Sequence, residues 1–333
     1  MRKVKWGVLG VAKIAVEKVI PAMQRGEVSE IAAIASRDLA KAREAAEKLG
    51  IARAHGSYED LLADPDIEAV YNPLPNELHV PWTIKALEAG KHVLCEKPIA
   101  LDANEARLLI EARERSGRLV AEAFMVRYHP QWRRARELVA AGAIGALGAI
   151  QTFFSYRLLD PANVRNRPPG GGGLYDIGCY AILTARYIFG AEPARVVATL
   201  DRDPNFRTDR LVSAILEFPG GRHLTFSAAT QLSAHQRVTI VGDAGRIEVE
   251  IPFNAPPDRP TRILIDIGED LFGGGARVEE FPVCDQYTLQ GDAFSRAVLG
   301  PAPLEFPIED AVLNMRVIDA LFRSAERGSW EAP

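Results

Sequence analysis

At 333 residues the chain exceeds one ordinary domain and accommodates two, each large enough to bury its own core. Its 40 basic and 44 acidic residues leave a net charge of -4 with no Lys/Arg block, which argues against a nucleic-acid or membrane-surface binder and for a small-molecule partner. Cys95, Cys179 and Cys284 are odd in number, far apart and without Cys/His ligand spacing, so neither a disulfide framework nor a metal site is expected, and a reduced, cytoplasmic setting fits.

Residues 4–9 form a short apolar run suited to a buried strand, without the longer hydrophobic region of a signal peptide, and no segment is long and apolar enough to span a membrane. Gly10-Val11-Ala12-Lys13-Ile14-Ala15 follows, then a helical pattern: strand, tight turn, helix. A dinucleotide fold asks here for G-x-G-x-x-G or G-x-G-x-x-A, so that backbone approaches a pyrophosphate at the helix amino terminus. Ala12 departs from that pattern, and the turn alone is also that of an ordinary loop. Residues 30–35 give a second strand, then Ser36-Arg37-Asp38 and an Ala-rich helix over 39–49 closed by Gly50. Sites for NAD place a carboxylate at the end of this strand for the ribose hydroxyls, whereas an Arg accommodates the 2′-phosphate of NADP. Ser36-Arg37 matches the second case, so NADP(H) is expected in preference to NAD(H). The competing reading is a solvated Arg at a helix start.

Residues 52–55 supply a third strand, Ser57 and Asp60 have the spacing of a capping box, and residues 69–71 supply a fourth strand. It ends in Asn72-Pro73-Leu74-Pro75-Asn76, whose prolines fix an extended path before a helix opened by Pro81 and stopped by Gly90. His79 and His92, each without a second ligand nearby, read as structural hydrogen-bonding groups. Val93-Leu94-Cys95 suits a strand covered on both faces, and Glu96-Lys97-Pro98 ends it with a carboxylate, an ammonium and a residue that cannot continue the ladder. Ligands of open parallel sheets bind outside the carboxyl ends of the strands, so Lys97 marks a candidate site; a surface ion pair is the competing reading. Asp102 caps a helix running to Ser116, Gly117 ends it, and residues 119–123 form a sixth strand, completing two mononucleotide-binding halves.

Beyond residue 123 the pattern changes. His129-Pro130 opens an Arg-rich amphipathic helix ending at Gly142, and residues 149–156 alternate like a strand. Residues 160–173 are turn-rich, and their run Gly170-Gly171-Gly172-Gly173 lacks the ending of a P-loop, so it reads as a pliable loop over a site. Residues 174–189 form a predicted helix carrying Asp176, Cys179 and Tyr180. Strands at 194–200, 211–218, 223–230, 237–241, 246–251, 262–267 and 278–283 follow in close succession, which implies antiparallel pairing. Two helices, over 286–299 and 308–327, end the chain. The expected architecture is α/β: a Rossmann doubly wound parallel sheet over residues 1–123, then an α+β domain with a large, mostly antiparallel sheet over 124–333.

Asp176 and Tyr180, four positions apart, share one helix face. A phenol, of reference pKa about 10, becomes a useful proton donor and acceptor when an ammonium stabilises its anion, and Lys97 is the candidate for that charge. The same two residues also fit an Asp favourable to the helix dipole followed by a half-buried Tyr.

Glu96-Lys97-Pro98 with the preceding residues 89–95, the loop Pro75-Asn76 with His79, and Gly171-Gly172-Gly173-Leu174-Tyr175-Asp176-Ile177-Gly178-Cys179-Tyr180 resemble the glucose-fructose oxidoreductase and inositol dehydrogenase family, over nearly the whole chain. The resemblance implies a catalytic group of Lys97, Asp176 and Tyr180. It assigns Gly10, Ala12, Lys13, Ile14, Ala15, Ser36, Arg37, Pro73, Leu74, Asn76, His79, Glu96, Lys97 and Arg165 to the cofactor. Arg127 and Tyr128 join the catalytic group at the substrate. Tyr180 stands where many inositol-dehydrogenase-like members carry His, so the chain resembles the branch of aldose dehydrogenases, dihydrodiol dehydrogenases and sugar ketoreductases. The implied activity is NADP-dependent hydride transfer to a sugar-like, polyhydroxylated substrate, foremost an aldose oxidised to its lactone. A keto-sugar reductase and a trans-dihydrodiol dehydrogenase are the alternatives. A dinucleotide-sensing regulator without turnover is a reading of another class, disfavoured by the retention of Lys97, Asp176 and Tyr180. Family members pair their carboxyl-terminal sheets, so a homodimer or homotetramer is expected, with Leu224, Phe226, Val238 and Ile240 seeking burial.

Overall fold

In the computed structural model, which describes residues 2–300 and 302–333, each of the first five strands is followed by a helix, the crossover that parallel neighbours require. β1 (Val4–Leu9) leads through a π-helical turn (Ala15–Val19) into α1 (Ile20–Gln24). Then come β2 (Ser29–Ala35), α2 (Leu39–Leu49), β3 (Arg53–His55), α3 (Tyr58–Ala63), β4 (Ala69–Asn72), α4 (His79–Glu88), β5 (His92–Cys95), α5 (Ala103–Ser116) and β6 (Val120–Glu122). The sheet runs β3-β2-β1-β4-β5-β6, all parallel, so its order reverses between β1 and β4. The helix boundaries follow the expected caps. Ser57 Oγ accepts the Asp60 N–H at 3.0 Å, and Asp102 Oδ1 accepts the Glu105 N–H at 2.8 Å. Only α4 starts early, two residues before Pro81.

The second unit contains α6 (Pro130–Ala140), β7 (Leu147–Arg157), a π-helical turn (Leu174–Gly178) continued by α7 (Cys179–Phe189), β8 (Arg195–Arg202), β9 (Asp209–Phe218), β10 (Arg222–Ala229), β11 (Gln231–Gly242), β12 (Arg246–Val249), β13 (Thr261–Asp266) and β14 (Ala276–Phe281). Its sheet is ordered β14-β13-β12-β11-β7-β10-β9-β8 and is antiparallel at every pair except β7–β10. The successive strands that pair do so antiparallel, as expected, and the departure is that β10 and β11 do not pair with each other. Thr230 alone joins β10 to β11, and one residue is too few for a hairpin, so the two strands lie on opposite sides of β7.

Leu224, Phe226, Val238 and Ile240 are at most 3% exposed within a single chain, on the side of the sheet where α7 packs on β7 and β10. They are core residues, and the expectation that they seek a partner chain is corrected.

α8 (Gln286–Leu299) and α9 (Ile308–Arg327) close the chain. One compact unit comprises the residues up to Met125 together with Asp285–Val312; the other comprises Val126–Cys284 and Leu313–Pro333. A division into 1–123 and 124–333 puts residues 285–312 in the second domain, whereas they pack in the first. The reason is α8: Ser295 Oγ accepts the Trp6 indole N–H at 3.0 Å, and Phe294 lies 5.3 Å from the Trp6 ring. Asp292 accepts the Glu27 and Val28 backbone N–H groups and the Ser29 hydroxyl. Among the described residues no helix is long and apolar enough to cross a membrane, and no group of His, Cys, Asp and Glu is arranged to hold a metal ion.

Two histidines accept backbone N–H groups and are therefore neutral rings, and a third, His79, is fully buried. His92 Nδ1 accepts the Leu119 N–H at 2.9 Å, and His129 Nδ1 accepts the Gln131 N–H at 3.2 Å. Burial holds His79, His92 and His129 down to about 4, so the unfolded chain binds more protons than the folded one between pH 6.5 and 4. Stability is therefore full above pH 6.5 and falls as pH drops, with a slope of about 1.4 kcal/mol per pH unit for each proton taken up. Urea midpoints measured from pH 7.5 to 4.5 should decline already above the carboxylate range; a flat profile down to pH 5 would contradict the neutral rings.

Candidate active site

In the first unit the functional turns gather at the carboxyl ends of β1, β2, β4 and β5, around the reversal of strand order where ligands of such sheets bind. β1 ends at Gly10, whose φ of 92° belongs to glycine, and whose N–H donates to Ala35 O at 2.8 Å. A Cβ there would lie 3.1 Å from Leu74 Cδ2. Ala12 replaces the second glycine without strain, since among the described residues the only non-glycine with a left-handed φ is Arg207. Lys13, exposed, reaches Glu17 at 4.0 Å; Ile14 and Ala15 pack inward at the start of the helix.

At the end of β2 the Ser36 N–H donates to His55 O, and Ser36 Oγ accepts the Asp38 N–H at 3.2 Å. The Asp38 carboxylate is committed to capping α2, accepting from Ala40 and Lys41. No carboxylate at this strand end is left for a ribose, while Arg37 is exposed and forms no ion pair among the described residues.

Buried polar groups hold the remaining two turns. Asn72 Nδ2 donates to His79 O and Thr83 Oγ1, both at 3.1 Å, and its Oδ1 accepts the Leu74 N–H, which braces Pro73 and Leu74. His79, fully buried, sets Nδ1 2.8 Å from Pro98 O and Nε2 2.7 Å from Leu74 O. The ring thus sits between the loop that runs on to Asn76 and the Lys97–Pro98 turn, whose peptide is cis, and as a neutral imidazole it donates to one of the two carbonyls. Burial lowers the His79 pKa and the Lys97 charge adds to the effect, against the pull of the two carbonyls. The Tyr71 phenol donates to Glu96 Oε1 at 2.6 Å, and Glu96 Oε2 accepts the Lys97 N–H at 3.3 Å. Burial, then the Glu96 charge, pushes the Tyr71 pKa well up, so it remains a donor. The bare Gly10, the helix that follows it and the exposed Arg37 fit a dinucleotide carrying a 2′-phosphate.

In the second unit the glycine run is a packing requirement rather than a pliable cover. Gly172 has a φ of 117°, and a Cβ on it would lie 2.0 Å from Asp209 Oδ1. Asp209, 1% exposed at the start of β9, accepts the Leu174 N–H at 2.6 Å; burial raises its pKa and the backbone donors oppose that. The bond pins the π-helical turn that carries Asp176, and such turns recur at functional sites. Asp176 Oδ2 accepts the phenol O–H of Tyr156, and Asp176 Oδ1 accepts Arg165 Nε–H at 3.0 Å. Arg165, assigned to the cofactor by resemblance, is therefore an ion-pair partner of Asp176. Tyr180, one turn further on, is buried with its ring 5.4 Å from Phe253 and 6.1 Å from Phe154, which are 4.7 Å from each other. Arg127 and Tyr128 are buried near the start of this unit, with Arg133 over the Tyr128 ring at 5.9 Å.

Sequence reasoning missed Tyr71, Asn72, Tyr156 and Asp209. The first two had a signal, as polar residues ending a strand that leads into a site loop. Nothing in spacing links Tyr156 to Asp176 or Asp209 to Gly172.

Two family models match the chain: the oxidoreductase family with an NAD-binding Rossmann fold over residues 4–124, and the GFO/IDH/MocA C-terminal domain over residues 132–248. The chain is 51% identical over 332 residues to an uncharacterized oxidoreductase of Rhizobium meliloti, covering 99% of both. It is 40% identical over 326 residues to a D-xylose 1-dehydrogenase (NADP(+)) of Haloferax volcanii, covering 97% of this chain and 98% of that one. A crystal structure of a 3-ketoreductase from Actinomadura kijaniata, in complex with NADP and TDP-benzene, has a TM-score of 0.90 at 30% identity, covering 97% of this chain and 98% of that one.

Proposed function

The chain belongs to the GFO/IDH/MocA family of oxidoreductases, and from that premise we propose that it transfers a hydride between NADP(H) and a sugar-like substrate, foremost an aldopyranose oxidised at its anomeric carbon to the lactone. The observation that carries this reading is the Asp176 carboxylate, 12% exposed, gripped by Tyr156 and Arg165, and one turn from Tyr180. A nearly buried carboxylate is costly unless donors complete its shell, and ligand hydroxyls are such donors. The Haloferax relative is named for xylose and NADP, which supports an aldose and this cofactor.

The bound dinucleotide supplies the hydride acceptor. Gly10, Ala12, Lys13, Ile14 and Ala15 would hold its pyrophosphate, Ser36 and Arg37 its 2′-phosphate, and Pro73, Leu74, Asn76 and Glu96 its remaining length, while His79, fully buried with both ring nitrogens against carbonyls, supports that loop from behind instead of touching the cofactor. As the hydride leaves carbon, Tyr180, as the phenolate that the Lys97 ammonium favours, takes the hydroxyl proton on Oη and becomes the neutral phenol, and Lys97 steadies the charge on the reacting oxygen. Asp176, with Arg127 and Tyr128, holds neighbouring hydroxyls. Reduction of a keto-sugar uses the same residues in reverse, and the likeness to a 3-ketoreductase supports it as the second reading.

The chain assembles, on this proposal, as a homodimer or homotetramer through the carboxyl-terminal sheet. The supporting feature is an open concavity on that sheet lined by Gln151, Phe153, Ile215, Thr225 and His235, where Ile215 is 40% exposed.

Tyr180→Phe should lower turnover by about 10²–10⁴ with little change in NADPH binding, as expected for loss of the group that takes the proton in oxidation and gives it back in reduction. Turnover close to wild type on an accepted sugar would remove Tyr180 from the mechanism. Arg37→Ala should cost NADP about 1.5–3 kcal/mol, one to two decades of its preference over NAD, measured by fluorescence titration of both cofactors. An unchanged ratio would reassign the 2′-phosphate contact. Light scattering at micromolar concentration should give at least twice the mass of one chain; a monomer would overturn the assembly.

A further inference from the structure

Asp176 carries two bonds of different kinds. Arg165 is 43% exposed, and an ion pair with so solvated a cation is weakly held and screened by salt. Tyr156 is half-buried on β7 and donates to the other carboxylate oxygen. Burial, then the Asp176 charge, raises the Tyr156 pKa far above its ordinary value, with Arg165 opposing. The phenol is therefore held in its protonated form, as a donor to Asp176.

Each carboxylate oxygen accepts more than one hydrogen bond, so a ligand hydroxyl can donate to the same carboxylate whose orientation the bonds from Tyr156 and Arg165 fix. Asp176 and Tyr180 are four residues apart, a spacing of about 5–6 Å between Cβ atoms on a helix. A ligand whose reacting hydroxyl meets Tyr180 can present the hydroxyl of the adjacent carbon to Asp176.

We propose that Tyr156 is a positioning residue that, by holding the Asp176 carboxylate in one orientation, makes the site select substrates bearing a hydroxyl next to the reacting carbon. The proposal rests on the oxidoreductase reading for the class of ligand, and it adds a residue and a selectivity to it.

The test compares wild type, Tyr156→Phe and Asp176→Asn as full-length, NADP-loaded protein, by calorimetric binding of D-glucose and 2-deoxy-D-glucose, and of D-xylose and its 2-deoxy analogue. Wild type should bind at least one 2-hydroxy sugar about tenfold more tightly than its deoxy partner. Tyr156→Phe should lose most of that ratio, through weaker binding of the hydroxy sugar with the deoxy sugar unchanged. KM should rise with it while kcat stays within about threefold. Asp176→Asn, which retains the phenol, should lose the ratio as well. An equal ratio in wild type and Tyr156→Phe, or no discrimination in wild type, overturns the proposal. If Tyr156→Phe fails to fold, persistence of the ratio in Asp176→Asn overturns it and loss supports it. Carboxyl ¹³C spectra, with the Asp176 resonance identified from Asp176→Asn, give a readout independent of turnover. Its titration should move up in Tyr156→Phe, which lacks a donor to the charged form; an unmoved titration counts against the proposal. Absence of hydride transfer to any sugar in wild type would instead sink the oxidoreductase reading, and the spectra would still report on Tyr156.

Discussion

Asp209 accepts the Leu174 N–H at 2.6 Å inside the second unit, and the residues that carry chemistry there take their positions from that bond. The carboxylate is buried, so it must be met by donors, and the backbone can reach it only where residue 172 has no side chain. The glycine run therefore brings backbone onto a carboxylate. It sets the entry of the π-helical turn, the turn presents Asp176 to Tyr156 and Arg165, and α7 continues to Tyr180. A group that must hold a sugar hydroxyl in one orientation gains from a rigid support, because binding then spends little entropy on ordering the protein.

The first unit solves a similar problem with neutral groups. Its loops after β4 and β5 are short and contain proline, and their backbone is met from beneath by Asn72, which accepts the Leu74 N–H and donates to His79 O, and by His79, which lies between the Leu74 and Pro98 carbonyls. Tyr71 and Glu96 extend the same arrangement to the Lys97 turn. Asn72 and His79 are polar, buried and paired, a combination that is costly to disturb and so keeps a loop in one conformation. In both units a π-helical turn opens the helix that follows the functional loop.

α8 illustrates why chain order is a poor guide to domain membership. Its residues follow the whole second sheet in sequence, yet Asp292, Phe294 and Ser295 complete the core of the first unit and satisfy the chain entering β2. Backbone N–H groups of Glu27 and Val28 need an acceptor, and Asp292 meets that need from more than 260 positions away.

Local chemistry was enough to read most elements from the sequence. Strand runs, glycine caps, Ser57 and Asp102 as helix starts, and the two closing helices all depend on residues within a few positions of each other. Family resemblance over Glu96-Lys97-Pro98 and residues 171–180 added the fold class and the candidate group Lys97, Asp176 and Tyr180. Long-range pairing lay outside that reach. The parallel β7–β10 pair, the burial of Leu224 and Phe226 beneath their own helix, the engagement of Arg165 by Asp176, and the fit of Gly172 against Asp209 are contacts between segments far apart in the chain. By itself the sequence determined which segments are helices and strands, several of their caps, and which residue types stand ready for chemistry, because caps, periodicity and turn preferences act over a few residues. Only the tertiary structure decided which buried donors and acceptors meet, because that pairing depends on how distant segments share one core, and no spacing along the chain encodes it.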